Sequence, residues 1–185
     1  MVAFRLDIMA LKSTSSPIVI STGFQQGAAN TFGVQSVDLQ LNPLDQEVFV
    51  VTAVKIDFDA VPYAVAAPDN TVLARYRISV CKSRPAAMQT LQDSNVIATD
   101  QLTSLTSFNS TTDPINVAVH QNSPSDSPPA QLEYLDIIAT DSFFLATDGT
   151  NTTGASTGSV RIFGYRARAD AATYAALVQS EMLSA

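Results

Sequence analysis

Between residues 72 and 81, Val72, Ala74, Tyr76, Ile78 and Val80 alternate with Leu73, Arg75, Arg77, Ser79 and Cys81. This is the period-two pattern of a strand with one buried and one wet face. The same period links Val48, Val50, Val54, Ile56 and Phe58, then Ile115, Val117 and Val119, and returns from Val160 to Arg168. Shorter runs lie between them. An apolar stretch at 17–22 precedes a loop rich in Gly and Gln; Val37, Leu39 and Leu41 share a face until Asn42-Pro43 stops the strand, because proline cannot donate to a ladder. Residues 47–58 are apolar on both faces before turning polar at Lys55, Asp57 and Asp59, which suggests a central strand that emerges at a sheet rim. Asp69-Asn70 suits a tight turn, so a hairpin is expected between this strand and 72–81.

The middle of the chain is less regular. Residues 85–92 have room for one helical turn or two, and 99–112, rich in Ser and Thr, reads equally as loop or edge strand. Residues 122–129 (Asn-Ser-Pro-Ser-Asp-Ser-Pro-Pro) predict an exposed loop. Leu132, Tyr134, Asp136 and Ile138 alternate with Glu133, Leu135, Ile137 and Ala139, a strand covered on both sides, and 143–146 makes another. The Gly-, Thr- and Asn-rich segment 147–159 reads as a flexible tip. The period then changes: Asp170 is a good N-cap for a helix over 171–183, with Tyr174, Leu177, Val178 and Glu181 at helical spacing. That helix either closes an open end of the sandwich or packs on a neighbouring subunit.

Eight or nine strands and one short helix predict an all-β sandwich or barrel. The length of 185 residues fits a single domain with one core. An apolar content of 46% against 15% charged residues places the chain among folded proteins. The net charge of −7 comes from 14 Asp and 3 Glu against 7 Arg and 3 Lys, without a basic cluster. A direct grip on nucleic acid needs a positive footprint, so this balance argues against one. Mild acidity serves solubility; Asp favoured over Glu, with few Lys, also resembles a surface adapted to salt. Arg5, Asp7 and Lys12 interrupt the N-terminal apolar residues, so no cleaved secretion signal is expected. No stretch reaches the ~18–20 apolar residues of a membrane span, and any membrane contact is expected to be peripheral.

Candidate chemistry is sparse. The lone cysteine, Cys81, excludes an internal disulfide and a multi-thiolate zinc site. It reads either as a small apolar residue at a strand end or as a thiol that pairs between subunits, since it shares the face of Arg75, Arg77 and Ser79. The lone His120 reads as a surface or packing residue rather than a ligand. Asp57, Asp59 and Asp69 offer oxygen ligands, but their spacing matches no EF-hand and solvated rim charges account for them. Glu47 and Glu133 have no spacing that sets them across a cleft as a glycosidase pair. The sequons at Asn109 and Asn151 fall in expected loops. No metalloprotease, nucleophile-elbow or phosphate-loop motif occurs, so neither a catalytic site, a metal nor a cofactor is expected.

About eight strands, a final strand reading Gly-Ser-Val-Arg-Ile-Phe-Gly-Tyr-Arg-Ala-Arg over 158–168 and a short C-terminal helix resemble a viral single jelly-roll capsid protein. Size, acidity and low Lys are similar to the smaller major capsid protein of icosahedral, internal-membrane viruses of halophilic archaea. The resemblance implies a virion component that self-associates and combines with a second, larger coat protein into capsomers around the membrane. It implies intersubunit contacts in which Cys81 bridges copies and Arg75, Arg77, Arg166 and Arg168 meet Asp-rich rims. The competing class is a sandwich that binds carbohydrate or a receptor, as a fibre or spike does. Such a module is expected to expose aromatics, and the chain has no Trp and 5 Tyr.

Overall fold

The structure, a computed structural model, describes residues 11–59, 70–108, 116–121, 125–126 and 133–184. The strands are β1 (Lys12–Ser13), β2 (Ile18–Gln25), β3 (Gly33–Asp38), β4 (Glu47–Phe58), β5 (Asn70–Cys81), β6 (Val96–Phe108), β7 (Asn116–Gln121), β8 (Ser125–Asp126), β9 (Asp136–Ile138), β10 (Ser142–Thr150) and β11 (Thr157–Arg168), followed by α1 (Ala171–Leu183). One sheet runs β11–β4 at its centre, with β1 and β2 sharing one edge and β8 and β9 sharing the other. The second sheet runs β3-β10-β5-β6-β7. Every pairing is antiparallel, and the long strands nest: β2 with β11, β3 with β10, β4 with β8 and β9, β5 with β6. A chain whose outer strands pair around its inner ones, divided between two facing sheets, is a jelly roll.

This topology overturns the expected hairpin after β4. Strands β4 and β5 belong to different sheets, so the chain crosses the sandwich between Phe58 and Asn70. Local sequence does not reveal which sheet receives the next strand. Asp69, Asn109 and most of 122–129 lie outside the described residues.

The core fills the space between the sheets. Phe49, Val51, Val54, Ile56, Val160 and Ile162 from one sheet meet Ile78, Val80, Ala98, Phe143 and Leu145 from the other. The alternation Val48, Val50, Val54, Ile56 does not lie on one face as the pattern predicts. The register against β11 slips where Phe163 pairs with Ala53 and Gly164 with Val51, leaving Thr52 as an extra residue whose Oγ1 donates to the Phe163 carbonyl at 3.1 Å. Such a bulge reverses the parity of its strand. Val48 and Val50 therefore point outward, and Phe49 and Val51 inward.

The outward pair explains the helix. Val48, Val50, Ile137, Ala139 and Ala167 form a second apolar cluster on the outer face of the first sheet, and Tyr174, Leu177 and Val178 of α1 pack onto it. The helix thus covers a sheet face of its own chain, not an open end of the sandwich. Asp170 caps it as expected, accepting from the Thr173 amide at 2.9 Å. Strand β9 is covered on both sides, with Ile138 in the core and Ile137 under the helix.

Two irregular stretches resolve differently from expectation. Residues 99–108 belong to β6, an inner strand between β5 and β7. The segment 85–92 forms turns without a helix and folds over the end of β5, where the Ser79 hydroxyl donates to the Gln89 carbonyl at 2.6 Å. The expected flexible tip is short and sewn down. Strand β10 continues to Thr150 and β11 begins at Thr157. Between them, Thr152 N donates to Asn30 Oδ1 at 2.7 Å, Asn30 Nδ2 returns a bond to the Thr152 carbonyl at 3.0 Å, and Tyr76 donates to the Gly154 carbonyl at 2.6 Å.

Candidate interaction surface

The five residues singled out for intersubunit contact fall at three places. Arg75 and Arg77 sit on the outer face of the five-stranded sheet, where β5 lies between β10 and β6. Cross-strand neighbours set their surroundings. Arg77 stands opposite Asp148 on β10 and Gln101 on β6, and its guanidinium forms an ion pair with Asp148. Arg75 stands between Thr150 and Thr103, which offer it no carboxylate. Its Nε is covered and bonded to nothing. Its terminal nitrogens have no hydrogen-bond or ion-pair partner among the described residues, and the residue is half-buried.

Arg166 lies at one end of the sandwich. Its Nη2 donates to the Leu39 carbonyl at 2.9 Å and its Nη1 lies 3.5 Å from Glu47 Oε2. It borders a hollow of about 200 Å3 with Ile18, Ile20, Asp38 and Phe49. Arg168, two residues on, is exposed beside Lys12 and Glu47. The four arginines therefore do not converge: two share a sheet face, and two mark the end of the last strand.

Cys81 occupies the outer sheet face that the alternation assigns it, yet its exposure is 0%. The segment 82–95 roofs that end of the face, so the thiol packs with Val96, Ala146, Met88 and Phe144. Asn95 pins the roof, accepting from Ser83 N at 2.7 Å and donating to Gln89 Oε1 at 2.7 Å. Burial, followed by the nearby Asp93 charge, pushes the thiol up to about 12. A protonated, enclosed thiol is a poor partner for exchange, and this setting matches a small apolar residue at a strand end.

The remaining candidates stay apart. Asp57 and Asp59 are exposed, and no group of three or more His, Cys, Asp or Glu side chains is disposed to hold a metal among the described residues. Asp57, Lys55 and Arg161 line a shallow hollow of about 110 Å3 on the outer face of the first sheet. Glu47 accepts from Asn42 N at 3.0 Å as well as meeting Arg166, whereas Glu133 is exposed. The His120 backbone pairs with Thr103 on β6. In the sequon at 151–153, Asn151 has φ 54° and its amide donates to the Leu73 carbonyl at 3.1 Å.

Sequence reasoning missed two features. Glu181, read only as a helix-face residue, is 3% exposed, and its carboxylate accepts from Ala139 N at 2.7 Å and Thr140 N at 3.1 Å. An acidic residue at an otherwise apolar helical spacing was the available signal. Leu73 and Leu105 are direct cross-strand partners on the outer sheet face and remain 47% and 41% exposed. Alternation places Leu73 outward, whereas Leu105 falls in the stretch that reads equally as loop or edge strand, and their adjacency depends on register. No helix among the described residues is long and apolar enough to cross a membrane. No protein-family profile matches the chain, and no curated protein matches it.

Proposed function

We propose that this chain is a structural coat subunit of an icosahedral virion, which self-associates and combines with a second coat protein into capsomers. It works without catalysis or a cofactor, meets an internal membrane only peripherally and leaves the genome untouched. The observation that carries the reading is the nested strand order, a jelly roll whose single core leaves broad sheet faces for neighbours. Fold alone does not fix function. The acidic balance adds support, because a coat separated from the genome by a membrane has no need of a basic arm.

Light scattering of the purified protein from low to multimolar salt, followed by negative-stain microscopy of the same samples, tests it. Defined oligomers with capsomer-like rings or shells are expected. A stable monomer at every salt concentration overturns self-association and directs attention to sugar and receptor binding.

A further inference from the structure

The outer face of the five-stranded sheet carries a cation and an apolar pair that nothing in the described chain uses. Leu73 and Leu105 oppose each other across β5 and β6, and Arg75 stands two residues along the same face. The neighbouring cation differs in kind, since Arg77 is neutralised by Asp148. Around them lie the polar, uncharged side chains of Thr103, Thr150 and Gln101. Half-exposed leucines beside an unpaired arginine, rimmed by polar groups, have the make-up of an interface centre rather than an ordinary wet sheet face.

We propose that this face is the contact surface for a second copy of this chain, which places a carboxylate on Arg75 and covers Leu73 and Leu105. The inference rests on the coat-subunit reading and names the face through which copies meet. Charge complementarity selects the occupant. The chain carries 17 acidic residues against 10 basic ones, and Asp57, Asp59, Glu133 and Asp141 are exposed carboxylates on it. Arg75 is pre-positioned for such a group, with its Nε covered by the protein and its terminal nitrogens without a partner among the described residues. A carboxylate bound there gains charge-assisted hydrogen bonds. A sheet face that meets a different surface of the next copy makes a heterologous contact, which forms a ring where its rotation closes and an open filament where it does not.

Sedimentation equilibrium at one fixed salt concentration tests the proposal with Arg75→Glu, Leu105→Ser and Lys12→Glu, Lys12 being an exposed cation of the other sheet. The first and third both move the net charge from −7 to −9 (−7 − 2), so they separate the contact from charge in general. Arg75→Glu and Leu105→Ser are expected to raise the dissociation constant at least about 30-fold, the scale of an interface centre. Lys12→Glu is expected to change it less than about threefold, as an exposed charge outside the contact does. Equal effects of the two charge reversals, or none from Arg75→Glu, overturn the assignment. Thr103→Cys provides a readout that does not depend on disrupting the face. Its maleimide labelling is expected to slow at least about tenfold on assembly, against a silent background from enclosed Cys81. Unprotected Thr103→Cys in an assembled protein overturns this face alone, whereas a wild type that never assembles overturns the coat-subunit reading beneath it.

Discussion

The carboxylate of Glu181 occupies a site that few acids occupy, buried where α1 crosses the turn between β9 and β10. Desolvation raises it above the usual Glu range, opposed by the two amides it accepts from and by Lys82. Its folded value lies above its unfolded one, so the stability it contributes is complete below pH ~4.3 and is lost as pH rises through the raised value. Denaturant unfolding across that range is expected to show this decline, and Glu181→Gln to flatten it. Glu181→Ala strands the Ala139 and Thr140 amides and is expected to cost about 2 kcal/mol at neutral pH. Cys81 makes the opposite case, an unremarkable residue in a site that punishes polarity. Cys81→Ser puts a hydroxyl among Val96, Ala146 and Phe144 and is expected to cost about 1–3 kcal/mol. Native wild-type protein is expected to run without a disulfide-linked dimer on non-reducing gels; a dimer band there would show that the roof over 82–95 opens.

At the scale of elements, β4 and β11 show how a close approach fixes a sequence choice. Gly164 stands opposite Val51 beside the bulge, where an added Cβ would lie 2.3 Å from the Val50 carbonyl and 2.7 Å from the Phe49 ring. Backbone cannot yield as a flexible side-chain tip does, so Gly164→Ala is expected to destabilise by about 3 kcal/mol, read as a shift of the denaturation midpoint at constant slope. The same pair of strands shows why the sequence was only partly legible. Alternation located β4, but the extra residue Thr52 swaps its faces halfway, and no local pattern announces a bulge in an all-apolar run. Strand β6 failed differently: its inward positions include Asp100, Ser104 and Thr106 as well as Ala98 and Leu102, so polar groups on both faces erased the contrast that periodicity needs. The helix was legible because Tyr174, Leu177, Val178 and Glu181 do line one face, whereas the surface beneath them is gathered from separate strands, Val48 and Val50 from over a hundred positions earlier and Ile137 and Ala139 from about forty. Removing 170–185 is expected to expose Val48, Val50 and Ala167, lower stability by at least about 3 kcal/mol from lost apolar burial and induce dye binding at that sheet face.

For the whole molecule, the interface residues were visible as candidates but not as a site. Alternation put Arg75 and Arg77 on one wet face, yet only register distinguishes the arginine that has Asp148 from the one that has no acid beside it. Net charge then sets the conditions under which that difference counts. Two copies at −7 repel each other, and the repulsion reaches ~30 Å at 0.01 M salt but only ~8 Å at 0.15 M. A close contact of Arg75 with a carboxylate, shielded by two leucines, is screened far less than the field of the whole surface. Added salt therefore removes more repulsion than attraction, and the dissociation constant of the self-associated form is expected to fall as salt rises from 0.01 M toward multimolar values. The leucine contribution strengthens along the same series wherever the salt is excluded from apolar surface. Arg75→Glu reverses the local attraction while deepening the repulsion, so its association is expected to lag the wild type at every salt concentration, with the gap narrowing as salt rises. A dissociation constant that instead climbs with salt would mean that exposed ion pairs hold the copies together and that the leucine pair stays wet.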